Sequence, residues 1–247
     1  MIAAPSAPGR NRFDGKIVVV TGVGRAGQVG EAVAKGFAQR GASVAIIDRD
    51  AASAETLAAA MRVDGFAVTA YGADLTDAAA TAAVFEQIGS ANGGRVHALA
   101  NIAGGFAMSG PVAESDPAIF QRQLSINLGS AYGATRACIP LLRAAGGGSI
   151  VFMAAAAILP GGKVGGMSGY AASKAGVTAL MRAVAQEERK NGVRANALAP
   201  TAIRTGTNLD SMGDKFAYVE REAVADVIAF LCSDEAVNIT GQVIELA

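Results

Sequence analysis

Cysteine, histidine and any surplus of charge are scarce in this chain, and each scarcity excludes something. Two cysteines, Cys138 and Cys232, lie far apart and without metal-ligand spacing, so neither a disulfide framework nor a thiolate metal site is expected. The one histidine, His97, makes no metal site alone and reads as structural or exposed. Lys+Arg and Asp+Glu both number 21 and no basic block occurs, which removes the electrostatic basis for nucleic acid or an anionic membrane as partner. No stretch approaches the roughly 18 unbroken apolar residues of a membrane span. Met1 to Arg12 is rich in Ala and Pro and lacks the basic and apolar blocks of a secretory signal. It reads as a flexible leader before one domain over residues 13–247. Together these absences point to a cytoplasmic protein.

What is present is apolar. Of 247 residues, 51% are hydrophobic and 17% charged, a balance that builds a core and excludes disorder. Short Val- and Ile-rich runs alternate with Ala-rich helical segments. Strands are expected over 16–21, 43–47, 66–71, 96–101, 149–153, 193–198 and 242–246. Helices are expected over 29–40, 51–63, 77–90, 117–145, 170–191 and 222–233. The strands are continuous apolar runs, the mark of parallel strands covered on both faces. Strand–helix alternation then implies right-handed crossovers and a doubly wound parallel α/β sheet in a single domain.

A Gly-rich turn, Thr21-Gly22-Val23-Gly24-Arg25-Ala26-Gly27-Gln28-Val29-Gly30, follows the first strand directly. Such a turn lets a pyrophosphate approach the main chain and presents a helix N-terminus to its charge. Asp48 ends the second strand, placed to accept hydrogen bonds from ribose hydroxyls and to repel a 2′-phosphate, which favours NAD over NADP. Arg25 and Arg49 lie close in sequence to these two features and are of the type that holds a 2′-phosphate.

These residues, with others further on, resemble the short-chain dehydrogenase/reductase family over nearly the whole chain, and so a Rossmann-type fold. The family's Thr-Gly-x-x-x-Gly-x-Gly turn is two residues longer here. Asp74-Leu75 resembles its adenine-contacting pair, and Asn101-Ile102-Ala103-Gly104 its Asn-Asn-Ala-Gly motif. Asn127 falls where the family has a catalytic Asn. Tyr170-Ala171-Ala172-Ser173-Lys174 is similar to its Tyr-x-x-x-Lys signature. Pro200-Thr201-Ala202-Ile203-Arg204-Thr205 resembles the segment that holds the nicotinamide carboxamide. The resemblance thus implies cofactor contacts from Gly22, Arg25, Gly27, Val29, Asp48, Arg49, Asp74, Leu75, Asn101, Ala103, Gly104, Tyr170, Lys174, Pro200, Ile203 and Thr205.

Tyr170 and Lys174 stand four apart, on one face of a helix. A tyrosine with its ordinary pKa near 10 exchanges protons poorly at neutral pH, and a nearby ammonium is expected to lower that pKa. By resemblance Lys174 also donates to the nicotinamide ribose, and Asn127 holds a water that relays protons between Lys174 and solvent.

One departure matters. The family places a Ser after its fifth strand to hold the substrate oxygen, and here Ala155 stands at that register, within Ala154-Ala155-Ala156-Ala157. Ser168, near Tyr170, is a candidate replacement. Two functions stay open. One is an NAD(P)(H)-dependent oxidoreductase interconverting a secondary alcohol and a ketone with Tyr170 as general acid/base. The other is a dinucleotide-binding protein with little or no catalysis, acting as sensor or partner subunit. The short polar segment 206–218 is expected to cover the substrate, with Phe106, Met108, Met212 and Phe216 as candidate lining. The resemblance further implies a small-molecule carbonyl or alcohol substrate and a homotetramer or homodimer joined through the two long helices.

Overall fold

A computed structural model describes residues 12–247, so the expected leader lies almost wholly outside the described residues. Seven strands make one sheet: β1 (Ile17–Thr21), β2 (Ser43–Asp48), β3 (Val68–Gly72), β4 (Ala98–Asn101), β5 (Gly148–Met153), β6 (Val193–Pro200) and β7 (Val243–Leu246). Their spatial order is β3-β2-β1-β4-β5-β6-β7 and every pairing is parallel. The helices are α1 (Val29–Gln39), α2 (Ala51–Val63), α3 (Ala78–Ala91), α4 (Pro117–Gln123), α5 (Ser130–Ala144), α6 (Ser168–Glu187), α7 (Gly206–Met212) and α8 (Arg221–Cys232).

The continuous apolar strands bury both faces because side chains alternate along a strand. Val18 and Val20 of β1 point to a core shared with α1, α2 and α8, through Phe37, Met61 and Ile228. Val19 points the other way, to a core shared with α3, α5 and α6, through Phe85, Leu142 and Met181. Both cysteines are buried and free. His97, just before β4, accepts the Ile17 N–H at Nδ1 (2.9 Å), which ties the entries of β1 and β4 together. Among the described residues no helix is long and apolar enough to cross a membrane, and no cluster of three His, Cys, Asp or Glu side chains could hold a metal.

The chain runs outward in both directions from β1 and β4, and the ends of these two neighbours form the crevice where a doubly wound sheet binds ligands. Thr21, the last residue of β1, ties this point together: its Oγ1 accepts the amides of Ile102 and Ala103, each at 3.0 Å.

Two elements differ from expectation. The long helix expected over 117–145 is α4, one π turn (Leu124–Gly129) and α5 in succession. The segment after β6 contains a helix, α7, started by Thr205, whose hydroxyl accepts the Asn208 amide (3.2 Å). Gly, Thr and Asn are weak helix formers, so only the cap signals this short helix. Elsewhere the element ends shift by one or two residues, except that α6 begins at Ser168 and stops at Glu187, four residues short of expectation, where a 3₁₀ turn (Arg189–Asn191) follows.

Candidate active site

The Gly-rich turn leaves β1 beside β4. Gly22 has φ +75°, and a Cβ on it would stand 2.8 Å from the Ala103 backbone, so only glycine fits. A Cβ on Gly30 would overlap the Gly22 carbonyl, which seats α1 tightly against the turn. Gly27 also has positive φ, with the Arg221 guanidinium 3.6 Å from where its Cβ would be, and its N–H donates to Glu31 Oε2 (2.6 Å). Gln28 precedes α1 without capping it through its side chain, so the amides of the first turn have no side-chain acceptor from the cap residue.

Gly24 packs directly on Asp48, whose carboxylate occupies the space a Cβ on Gly24 would need. Asp48 is half-buried and accepts one amide, from Asp50 (3.1 Å), which leaves most of its acceptor capacity unused. Arg25 and Arg49 are exposed. Asp74 turns its carboxylate onto Thr76, accepting its N–H (2.9 Å) and hydroxyl (2.7 Å), and those bonds hold its pKa below the ordinary carboxylate value. Leu75 is buried beside it. Asn101 donates from Nδ2 to Thr135 (3.1 Å), and its Oδ1 is the one buried side-chain polar atom without a partner among the described residues.

Tyr170 and Lys174 share one face of α6. The Lys174 ammonium lies 5.8 Å from the Tyr170 ring centroid and donates to the Met153 carbonyl at the end of β5 (2.8 Å). Burial pushes the Lys174 pKa down to about 8. Burial also pushes the Tyr170 phenol up to about 12, the reverse of the lowering expected from spacing alone. Desolvation disfavours the charged form of each.

Asn127 lies inside the π turn and is 1% exposed. Its side chain brackets the loop after β4: Oδ1 accepts the Gly105 N–H (3.0 Å), and Nδ2 donates to the Gly105 carbonyl (3.0 Å). Nδ2 also donates to the Gln123 carbonyl (3.1 Å) and to Gln123 Oε1 (3.2 Å). A Cβ on Gly104 would collide with Asn127 Oδ1 and stand 3.8 Å from Lys174 Nζ, so these three residues converge. Its side chain is therefore spent on the loop and on Gln123. Phe106, the next residue of the bracketed loop, meets the Tyr170 ring edge-on at 5.0 Å.

Ala155 is 6% exposed, two residues beyond Met153, with extended backbone. Ser168 pairs its hydroxyl with that of Ser109 (3.4 Å). The amides of Ser109 and Gly110 both donate to the Gly166 carbonyl (2.8 and 3.1 Å), which straps the loop after β4 to the loop before α6.

The sequence pattern described as short chain dehydrogenase matches residues 16–214. The chain belongs to the short-chain dehydrogenase family. It is 34% identical over 243 residues to a D-threitol dehydrogenase of Mycolicibacterium smegmatis, covering 93% of this chain and 90% of that protein. It is also similar to a solved gluconate 5-dehydrogenase of Burkholderia cenocepacia in complex with NADP and tartrate (TM-score 0.88, 25% identity, 96% of this chain and 95% of that one). A solved 7α-hydroxysteroid dehydrogenase, complexed with NADH and 7-oxo glycochenodeoxycholic acid, is equally near (TM-score 0.87, 28% identity, 96% and 94%).

In this short-chain dehydrogenase the far side of the crevice is built by the chain leaving β6. Pro200 ends β6, Ile203 bridges to Val219, and Thr205 is buried where it caps α7. Gln28 of the Gly-rich turn touches Thr207 of α7 (3.4 Å), so the turn and the cover meet. Gln123 and Ser109 are not foreshadowed in the sequence, and Gly24 lay within the Gly-rich turn without being assigned a contact. Gly24 alone carried a signal there, as a second glycine two residues after Gly22.

Proposed function

We propose that this short-chain dehydrogenase interconverts a secondary alcohol and a ketone with NAD(H), Tyr170 acting as general acid/base. The observation that carries the reading is the pair on α6: Tyr170 beside a buried Lys174 that is fastened to the Met153 carbonyl. The dinucleotide fits the residues present. The turn is closed by glycines at Gly22 and Gly30, α1 begins without a side-chain cap, and Asp48 has acceptor capacity to spare. Gly24 pressed against Asp48 leaves a carboxylate at the ribose position, which favours two hydroxyls over a 2′-phosphate and hence NAD over NADP.

When bound, the dinucleotide supplies or accepts the hydride at the carbon that bears the oxygen. The chain moves the proton. In reduction the Tyr170 phenol gives its proton to the carbonyl oxygen, and in oxidation the phenolate takes it from the alcohol. Lys174 favours the phenolate by its charge and holds the ribose side of the site. Asn127 keeps the Gly104–Phe106 loop against both groups.

Ala155 offers no hydroxyl to the substrate oxygen. Loss of one such donor lowers kcat by about 10²–10³, and Tyr170 remains as donor to the same oxygen. The same alanine favours the second reading, a dinucleotide binder with little catalysis. Turnover of NADH with a panel of ketones, measured for the parent and Ala155→Ser, separates the two. A parent that turns over, and gains little from the serine, supports the reductase. A silent parent with an active Ala155→Ser supports the binder. The buried, free thiols suit a reducing compartment such as the cytoplasm, and a homo-oligomer through α5 and α6 completes the proposal.

A further inference from the structure

Nine large hydrophobic side chains are strongly exposed among the described residues, and they are not scattered. Phe106, Met108 and Val112 lie between β4 and α4, Val164 between β5 and α6, and Met212 and Phe216 between β6 and α8. Six of the nine therefore sit on the three segments that leave the C-terminal ends of adjacent strands. Phe106 is 58% exposed although its ring packs on that of Tyr170. Met108 is 55% exposed, and its Cε reaches within 3.0 Å of where a Cβ on Gly166 would be. A concentrated exposed apolar surface beside a reactive group marks a binding surface.

Charge is missing from the parts of these walls that directly follow β4 and β5. Residues 102–113 and 154–162 contain no Asp, Glu, Lys or Arg. Beyond β6, Arg204 is paired with Glu220 (2.7 Å) and packs over the Tyr218 ring. Of the nearby hydroxyls, Ser109 is bonded to Gly166 and Ser168, and Thr205 accepts at the start of α7. Lys163 and Lys215 are exposed beside Val164 and Phe216, whereas a polyhydroxy chain lying on Phe106 would lose water without gaining partners.

We propose that the substrate is a largely apolar ketone or secondary alcohol of at least one ring, lying on Phe106 with Met108, Val164, Met212 and Phe216 around it. This rests on the reductase reading. Ala155 continues the apolar wall at the end of β5, so the substrate oxygen is held from the Tyr170 side alone.

The test compares kcat/KM with NADH for 4-tert-butylcyclohexanone, fructose and oxaloacetate, in the parent, Phe106→Ser and Met212→Ser. Alongside, binding of each compound to the NADH complex of Tyr170→Phe is followed by NADH fluorescence, which needs no turnover. The apolar ring is expected to lead by tenfold or more, and each serine variant to raise its KM about tenfold with little change in kcat. Preference for fructose or oxaloacetate, or equal rates for all three, overturns the substrate class and leaves the reductase intact. If the parent turns over nothing, the reductase reading fails by itself. Binding then decides: tighter binding of the ring that Phe106→Ser weakens supports the apolar site, and its absence overturns it.

Discussion

The Lys174 ammonium donates to the Met153 carbonyl at 2.8 Å, so a buried charge on α6 is fastened to the end of β5, two residues before Ala155. That bond fixes where the charge sits relative to Tyr170. It does not fully replace water, since burial still lowers the lysine pKa from 10.5 to about 8.

Lys174→Met should therefore stabilise the protein while disabling it. A lysine whose folded pKa lies below its unfolded value costs stability wherever it is held charged. That cost is greatest below about pH 8 and fades as pH rises toward 10.5. Its ceiling is roughly 3 kcal/mol, less the lost bond to Met153. Thermal unfolding should show the variant more stable than the parent at pH 7, with the gap closing by pH 10. A less stable variant at pH 7 would mean that the Met153 bond outweighs the burial cost.

The same lowering sets a pH dependence for activity. Tyr170, pushed up to about 12, keeps its proton through the neutral range, whereas Lys174 loses its charge as pH rises through about 8. In kcat profiles from pH 6 to 10, reduction should fall above about pH 8. Lys174→Arg, always charged, should lack that limb. A parent profile flat across the range would remove Lys174 from the proton path.

Asn127→Ala deprives the Gly105 amide and carbonyl of their partner and leaves Gln123 Oε1 without its donor. A loss of about 1–3 kcal/mol is expected on chemical unfolding. Because the freed loop carries Phe106, KM for the ketone should rise as well. Unchanged stability and KM would mean that the loop holds its place without Asn127.

Gly24→Ala places a methyl group where the Asp48 carboxylate stands. NADH affinity, followed by its fluorescence, should fall about tenfold, equivalent to about 1.4 kcal/mol, with the fold retained. Asp48→Asn removes the charge that repels a 2′-phosphate and should narrow the preference for NADH over NADPH. NADPH bound better than NADH by the parent would reverse the assignment of Asp48.

The sheet was legible in the sequence because parallel strands covered on both faces must be continuous apolar runs, as residues 17–20 and 44–47 are. The pairing of Tyr170 with Lys174 on one helical face was legible for the same kind of reason, a period. What stayed hidden depends on contacts between distant segments. Spacing does not reveal how deeply a pair is buried, so the upward direction at Tyr170 could not be foreseen. Nor does it show that Asn127 spends its side chain on Gly105, across the turn from β4 to α4. The π turn that aims Asn127 inward has no composition of its own, and α7 announces itself only by the Thr205 cap.

Steady-state NADH oxidation with a cyclic ketone, in the parent and in Tyr170→Phe, tests the central claim most directly. Phenylalanine keeps the ring packed against Phe106 and deletes only the proton donor. The parent should turn over, and Tyr170→Phe should lose about 10²–10⁴ in kcat while binding NADH as tightly. Equal turnover by the two proteins, or none by either, would contradict the assignment of Tyr170 as the group that carries the proton.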